Sequence, residues 1–320
     1  MIAVRGIDKR YGRQIALDDV TFEARTGAVT ALIGPNGSGK TTLIKIVLGL
    51  TRADKGAVAL AGVPIDRDGD YRRHLGYMPQ AGHFPEHLTI GEVIELVDAL
   101  RQGTAVDDEL LQSFALPALW HKKVGTLSGG TRQKLSAAIA FRYSPRLLIL
   151  DEPTAGLDPI ACGILKDKIR AVRAAGCTVL ITSHIMSELE ELAEDIAFLC
   201  DAQLRYDGTV QELLVRTRQP RLEGAVAALL RRGDEPSLAQ ALALEPTNED
   251  VLRSLATLWL EQERFEDVVT LLEPHRGSND LTSLAARARL ALSGVSLDGD
   301  LDVTLSELLA QATSDDTAKA

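Results

Sequence analysis

Gly34-Pro35-Asn36-Gly37-Ser38-Gly39-Lys40-Thr41-Thr42 is the stretch that decides the fold, and it fits G-x-x-x-x-G-K-[ST] in full. A phosphate chain needs backbone N–H groups turned inward, and glycines let the backbone approach that closely. The residues around it complete the geometry. Ala28–Ile33 is a short apolar run that reads as a strand, and Thr41–Leu50 has helical spacing. Strand, loop and helix in that order place a helix N-terminus, with its partial positive charge, at the phosphates. Lys40 can reach the β- and γ-phosphates, and the Thr41 hydroxyl can ligate Mg²⁺. With the strand before it and the helix after it, a glycine-rich turn that binds nothing is the poorer reading.

Outward from the loop, residues 1–30 alternate like strands and turn at Tyr11-Gly12 and Thr26-Gly27. Residues 56–80 read as further strands, and 89–143 mainly as helices, with Ile90–Leu100 at helical spacing. Leu147–Leu150 and Val179–Thr182 are short apolar runs, as in strands buried on both faces. Strands alternating with helices predict an α/β domain with a mostly parallel sheet over residues 1–220. From 221 to 320 the composition turns to Ala, Leu and Glu at i, i+3 and i+4, with no clear strand run. That predicts a small all-helical C-terminal appendage and a frayed tail from Thr313.

A second chemical motif ends the first apolar run. Asp151 and Glu152 follow Leu147–Leu150, and ligands gather outside the carboxyl ends of such strands. Asp151 is placed to hold Mg²⁺, and Glu152 to orient or polarise an attacking water. These two motifs point to a P-loop nucleotide hydrolase, a description shared by many families.

Leu127-Ser128-Gly129-Gly130-Thr131-Arg132-Gln133 separates them: the chain resembles ABC transporter ATPases, matching their LSGGQ-type signature with Thr131 where glutamine is commonest. Further landmarks agree in order and spacing. Tyr11 stands where the family stacks an aromatic on adenine. Gln80, closing Gly76-Tyr-Met-Pro-Gln80, matches the Q-loop glutamine; Gly156-Leu157-Asp158 matches the D-loop; His184, ending Ile181-Thr-Ser-His184, matches the switch histidine. The resemblance covers about residues 1–215 and implies a cassette with a mixed sheet and a helical subdomain. It also implies an ATPase that binds ATP and Mg²⁺. Nucleotide would be held by Tyr11, by Gly34, Pro35, Asn36, Gly37, Ser38, Gly39, Lys40, Thr41 and Thr42, and by Ser128, Gly129, Gly130 and Asp158. Thr41, Gln80 and Asp151 would serve the metal, and Glu152, His184 and Gln80 the chemistry. In the family Ser128 and Gly130 act on nucleotide held by the opposite copy. The departure at Thr131 is therefore expected to be silent, because the phosphate contacts belong to its neighbours. Cassettes that have lost hydrolysis usually lack the lysine, glutamate or histidine, and this chain keeps all three.

The implied partners are a second copy of the chain, in a head-to-tail ATP sandwich, and separate integral-membrane permease subunits, with export the expected direction. Ala81–Ile90 is expected near the groove that receives a permease helix. Tyr71–Gln80 and His83–Thr89 further resemble the ATPase subunit of copper-site maturation systems for nitrous oxide reductase. Ala241–Asn248 and Leu255–Val268 look like tetratricopeptide repeat, a helix, a polar turn near Gln262–Arg264 and a second helix. A protein partner could dock there, with Trp259 and Phe265 in the core; a generic helical hairpin is the alternative.

Bulk properties bound the rest. The chain has 320 residues, 45% hydrophobic and 25% charged, the balance of a globular protein. A net charge of -10 disfavours nucleic-acid binding. No segment approaches the ~20 apolar residues of a membrane span, and the N-terminus lacks a signal-peptide pattern. The expected location is cytoplasmic, peripheral on the membrane through the permease. Cys162, Cys177 and Cys200 are widely spaced and read as small core residues. The rival readings are an ABC ATPase acting on ribosomes or DNA, which usually carries two cassettes or a long coiled coil, and a regulatory protein that binds ATP without turnover.

Overall fold

The computed structural model describes residues 2–65, 70–101, 106–230, 242, 247, 249–275 and 279–292. The chain divides into two compact units, Met1–Val226 and Ala227–Ala320. The division falls inside a helix spanning residues 222–230, a few residues beyond the composition change at 220.

The first unit is built on two sheets. β1 (Ile2–Tyr11) and β2 (Gln14–Ala24) form a hairpin that turns at Gly12, and β4 (Lys55–Leu60) and β5 (Val63–Pro64) extend it into an antiparallel sheet ordered β2-β1-β4-β5. The second sheet takes β3 (Val29–Ile33), β6 (Leu75–Met78), β7 (Leu147–Asp151), β8 (Thr178–Thr182), β9 (Asp195–Cys200) and β10 (Gln203–Thr209), in the order β10-β9-β3-β8-β7-β6. All its pairings are parallel except β9 with β10. Every residue of β3, β8 and β9 is buried, which is why these runs lack the polar alternation of a one-sided strand. The parallel sheet matches the expectation from sequence, and the antiparallel sheet makes the whole mixed. Ile2, Val4 and Phe22 of one sheet join Leu32, Ile149 and Leu180 of the other and Leu43 and Ile44 of the first helix in a shared core. Arg25, at the end of β2, donates from Nε and Nη2 to both Asp195 oxygens, at 2.7 and 2.6 Å, and ties the sheets at their margin.

α1 (Lys40–Val47) starts one residue earlier than its spacing predicted and stops sooner, at Gly49, whose φ of 68 takes the chain out of the helix. The stretch 89–143 holds α2 (Ile90–Leu100), α3 (Glu109–Ser113) and α4 (Gly129–Phe141), with 3-10 turns at Leu116–Leu119 and Val124–Thr126. Thr89 and Glu92 form a reciprocal cap that starts α2. α5 (Pro159–Ala174), α6 (Met186–Leu192) and α7 (Val210–Thr217) complete the unit, and α8 is the helix at 222–230. Cys177 and Cys200 are buried and Cys162 half-buried; burial pushes the Cys177 thiol up to about 11, so it is protonated and inert at neutral pH.

In the second unit α9 (Glu249–Glu261), α10 (Phe265–Leu272) and α11 (Asn279–Leu292) close a small core of Leu252, Ala256, Val268, Leu272 and Leu281. Trp259 and Phe265 pack against it, as expected, and the α9–α10 turn passes through Glu263 at φ 59. Leu255–Val268 is thus the helix–turn–helix read from the sequence. Most of Ala241–Asn248 and all of the tail from 293 lie outside the described residues. Among the described residues no helix is long and apolar enough to cross a membrane.

Candidate active site

The parallel sheet brings four strand ends side by side, because β3, β8, β7 and β6 are neighbours in that order. The glycine loop leaves β3, Asp151 ends β7, Thr182 ends β8 just before His184, and Gln80 follows β6. They meet in a cavity of about 390 Å³, walled by Lys40, Thr41, Gln80, Asp151, Glu152 and His184. Asn36, Gly37, Gly39, Thr42 and Thr182 complete the same wall, and the β1–β2 hairpin adds Tyr11, Gln14 and Ala16.

The loop is shaped by two of its glycines. Gly34 has φ 151, and a Cβ there would lie 1.9 Å from the Leu199 carbonyl oxygen. Gly39 has φ 107, and its Cβ would lie 2.3 Å from the Ala16 carbonyl oxygen. No other residue type fits either place. Gly39 caps α1 and, having no side chain, makes no cap hydrogen bond of its own to the first-turn N–H groups. Lys40 Nζ donates to the Gly34 and Pro35 carbonyls, at 2.7 and 2.9 Å, which holds the ammonium over the loop. Burial pulls its pKa below the usual lysine range, opposed by the charges of Glu152 and Asp151. Ser38 is buried, and among the described residues its hydroxyl has no hydrogen-bond partner. Gly34, Pro35 and Ser38 are not among the residues that wall the cavity, where the Lys40 ammonium and the backbone of Asn36, Gly37 and Gly39 are what a phosphate chain would meet.

The acidic pair is held by β8. Thr182 Oγ1 donates to Asp151 Oδ1 at 2.6 Å and accepts from the Glu152 N–H at 3.1 Å. Glu152 sits at φ 52, a conformation uncommon for a non-glycine residue and concentrated at functional sites. Its carboxylate is 12% exposed and is gripped by residue 184. The His184 N–H donates to Oε2 at 3.2 Å, and Nε2 lies 3.5 Å from Oε1. Thr41, Gln80 and Asp151 offer a hydroxyl, an amide and a carboxylate at one cavity wall, a hard oxygen set that fits Mg²⁺, which keeps several of its own waters. Tyr11 is 48% exposed at the cavity rim, with the Lys9 ammonium 5.4 Å from its ring centroid, so ring area remains free for stacking.

Ser128, Gly129, Gly130 and Asp158 are not among the walls of this cavity. Ser128 and Gly129 are exposed at the start of α4, where the Ser128 hydroxyl caps the helix by accepting from the Thr131 N–H at 3.2 Å. A Cβ at Gly130 would lie 2.7 Å from the Gly156 carbonyl oxygen, so this glycine lets the signature pack on the 156–158 turn of its own chain. Asp158 caps α5 by accepting from the Ala161 N–H at 2.9 Å and pairs with Lys134 at 2.6 Å, which holds its carboxyl below the usual range.

Two side chains with clear parts in the site were assigned none from the sequence. Thr182 positions both acids. Gln133, buried, donates to the Glu152 carbonyl at 3.4 Å and links α4 to the acidic turn.

The family model described as ABC transporter matches residues 17–155. The chain is 35% identical to the Daunorubicin resistance ATP-binding protein DrrA3 of Streptomyces coeruleorubidus, over 69% of this chain and 72% of that protein. It is 34% identical to the Nod factor export ATP-binding protein I of Mesorhizobium japonicum, over 65% of this chain and 63% of that relative's length. Among solved structures, one described as the ATP binding subunit of an ABC transporter superposes with a TM-score of 0.68 at 29% identity, covering 72% of this chain and 99% of its own. A dimeric bacterial ABC transporter cassette shares the fold at 24% identity, with a TM-score of 0.59 over 66% of this chain and 99% of its own.

Proposed function

The chain belongs to the ABC transporter ATP-binding family, and on that premise we propose that it hydrolyses ATP in a head-to-tail dimer and so drives export through separate membrane subunits. One observation carries the reading: the glycine loop, Gln80, the acidic pair and His184 all wall one cavity, at the ends of neighbouring parallel strands. Lys40 and the first-turn N–H groups of α1 bind the phosphates. Thr41, Gln80 and Asp151 would hold Mg²⁺, which when bound would supply charge neutralisation for phosphoryl transfer. Glu152 orients the attacking water and accepts its proton, and His184 fixes the Glu152 carboxylate while facing the γ-phosphate. Tyr11 stacks on adenine.

Ser128 and Gly130, exposed or half-exposed away from the cavity, serve the nucleotide of the second copy. Asp158 belongs to the same shared interface, acting through Lys134 on the placement of α4. A single copy then holds an incomplete set of phosphate donors, and phosphoryl transfer depends on such positioning. The permease tethers the motor to the inner face of the membrane. The relatives' names support an exporter. The copper-site maturation subtype rests on Tyr71–Gln80 and His83–Thr89 alone. For the α9–α10 hairpin we retain the reading of a tetratricopeptide-like docking element, supported by its helix–turn–helix core.

The test is a comparison of the wild type with Glu152→Gln in ATP and Mg²⁺, by light scattering and phosphate release. The variant should bind ATP, turn over about 10²–10⁴-fold more slowly and accumulate as a dimer. A variant that stays monomeric with bound ATP, with or without permease, contradicts the proposal.

A further inference from the structure

The signature departs from its usual wording at one place, and that residue touches the serine on which the signature depends. Thr131 makes two contacts with Ser128. Its N–H donates to Ser128 Oγ at 3.2 Å, and its hydroxyl lies 2.8 Å from the same oxygen. Ser128 is exposed, whereas Thr131 is half-buried at the first turn of α4.

From this geometry we infer that Thr131 is a positioning residue that aims the Ser128 proton at the phosphate of the opposite copy. A serine hydroxyl has one proton to give and two lone pairs. The Thr131 N–H takes one lone pair. When the Thr131 hydroxyl donates as well, both are filled, and the Ser128 O–H is left to point outward as a donor. A phosphate offers acceptors only, so its arrival selects this arrangement over the reverse one. Valine at 131 keeps the branched shape and the N–H but frees the second lone pair, and the Ser128 rotor loses its fixed direction. The substitution that looked silent in the sequence therefore sets how well the signature closes a site. The inference rests on the ATP-sandwich reading given above.

The experiment uses the full chain in the Glu152→Gln background, with ATP and Mg²⁺, comparing Thr131→Val, Thr131→Ser, Ser128→Ala and the Ser128→Ala/Thr131→Val double variant. Dimer affinity is read by light scattering over a concentration series. Nucleotide affinity of the separated chain is read with a fluorescent ATP analogue at concentrations too low for dimers. Thr131→Val should weaken the dimer by about a hundredfold, roughly tenfold for the charge-assisted hydrogen bond lost at each of its two sites. It should leave single-chain nucleotide affinity unchanged, and Thr131→Ser should restore the dimer. In the Ser128→Ala background Thr131→Val should add nothing further, because its effect passes through the serine. Equal dimer affinity for Thr131→Val and its parent overturns the inference, and so does a loss that persists unchanged without Ser128. A Glu152→Gln parent that forms no dimer overturns the sandwich itself, and this inference with it.

Discussion

Thr182 shows how much of the chemistry is set by single atoms outside the motifs. Its hydroxyl donates to Asp151 and accepts from the Glu152 N–H, which also donates to the Thr182 carbonyl at 3.1 Å. Thr182→Val would leave that N–H paired and strip only Asp151 of its partner. The account predicts that the Mg²⁺ concentration for half-maximal phosphate release rises by roughly ten- to a hundredfold, the usual cost of removing a group that orients a metal-binding carboxylate. A magnesium titration of the variant checks it, and an unchanged midpoint counts against Asp151 as the metal's carboxylate. The sequence makes Asp151, Glu152, Lys40 and His184 legible because each stands in a motif at fixed spacing. Thr182 stands two residues before His184, yet no motif marks it. Its partner is Asp151, paired with it in the β7–β8 register, and register between segments 31 residues apart is not visible in a linear reading. Gln133 stayed unassigned for the same reason, since its contact is a carbonyl in another motif.

The helical region between Thr89 and Tyr143 is held together, and to α5, by charge as well as by apolar packing. Arg142, whose side chain is 7% exposed, pairs with Asp98 of α2 and Asp108 before α3, and Lys168 of α5 reaches Asp107 and Glu109 at 2.6 Å. The Arg142 guanidinium holds the Asp98 carboxyl below the usual range. A depressed carboxylate stabilises the fold above its unfolded pKa near 4 and stops doing so as pH falls through the folded value. The stability advantage of the wild type over Asp98→Asn should therefore be full at neutral pH and shrink below about pH 4, as urea melts across pH would show. Gly91 makes a second close contact within the region. A Cβ there would lie 2.2 Å from the Trp120 indole nitrogen, so Gly91→Ala should destabilise the unit by about 1–3 kcal/mol, measured by denaturant unfolding. Helix existence at Ile90–Leu100 was legible from its period, and the Thr89–Glu92 cap lies in plain sight in the sequence. The 3-10 turns at 116–119 and 124–126 are not, because each is too short to show a period and is held by backbone hydrogen bonds to the start of α2, from Gly91 N–H to the Trp120 carbonyl and from Val124 N–H to the Leu88 carbonyl.

At the scale of the molecule, every residue that walls the cavity belongs to the unit Met1–Val226. A chain ending at residue 230, after α8, should keep the ATP-dependent phosphate release of the full chain within about twofold; a larger loss would place part of the motor in the C-terminal helices. The composition shift near 220 revealed that second unit, but not that the division falls within a helix, since helical spacing runs unbroken across it. The central claim is that each hydrolytic site is shared, with the loop of one copy completed by the signature of the other. The most direct measurement mixes two inactive chains, Lys40→Ala and Ser128→Ala, and follows phosphate release. In a mixed dimer one site carries both defects and the other carries neither. The account predicts that the mixture recovers about a quarter of wild-type turnover, half of the dimers being mixed and one of their two sites intact. A mixture no more active than its separate components would contradict it.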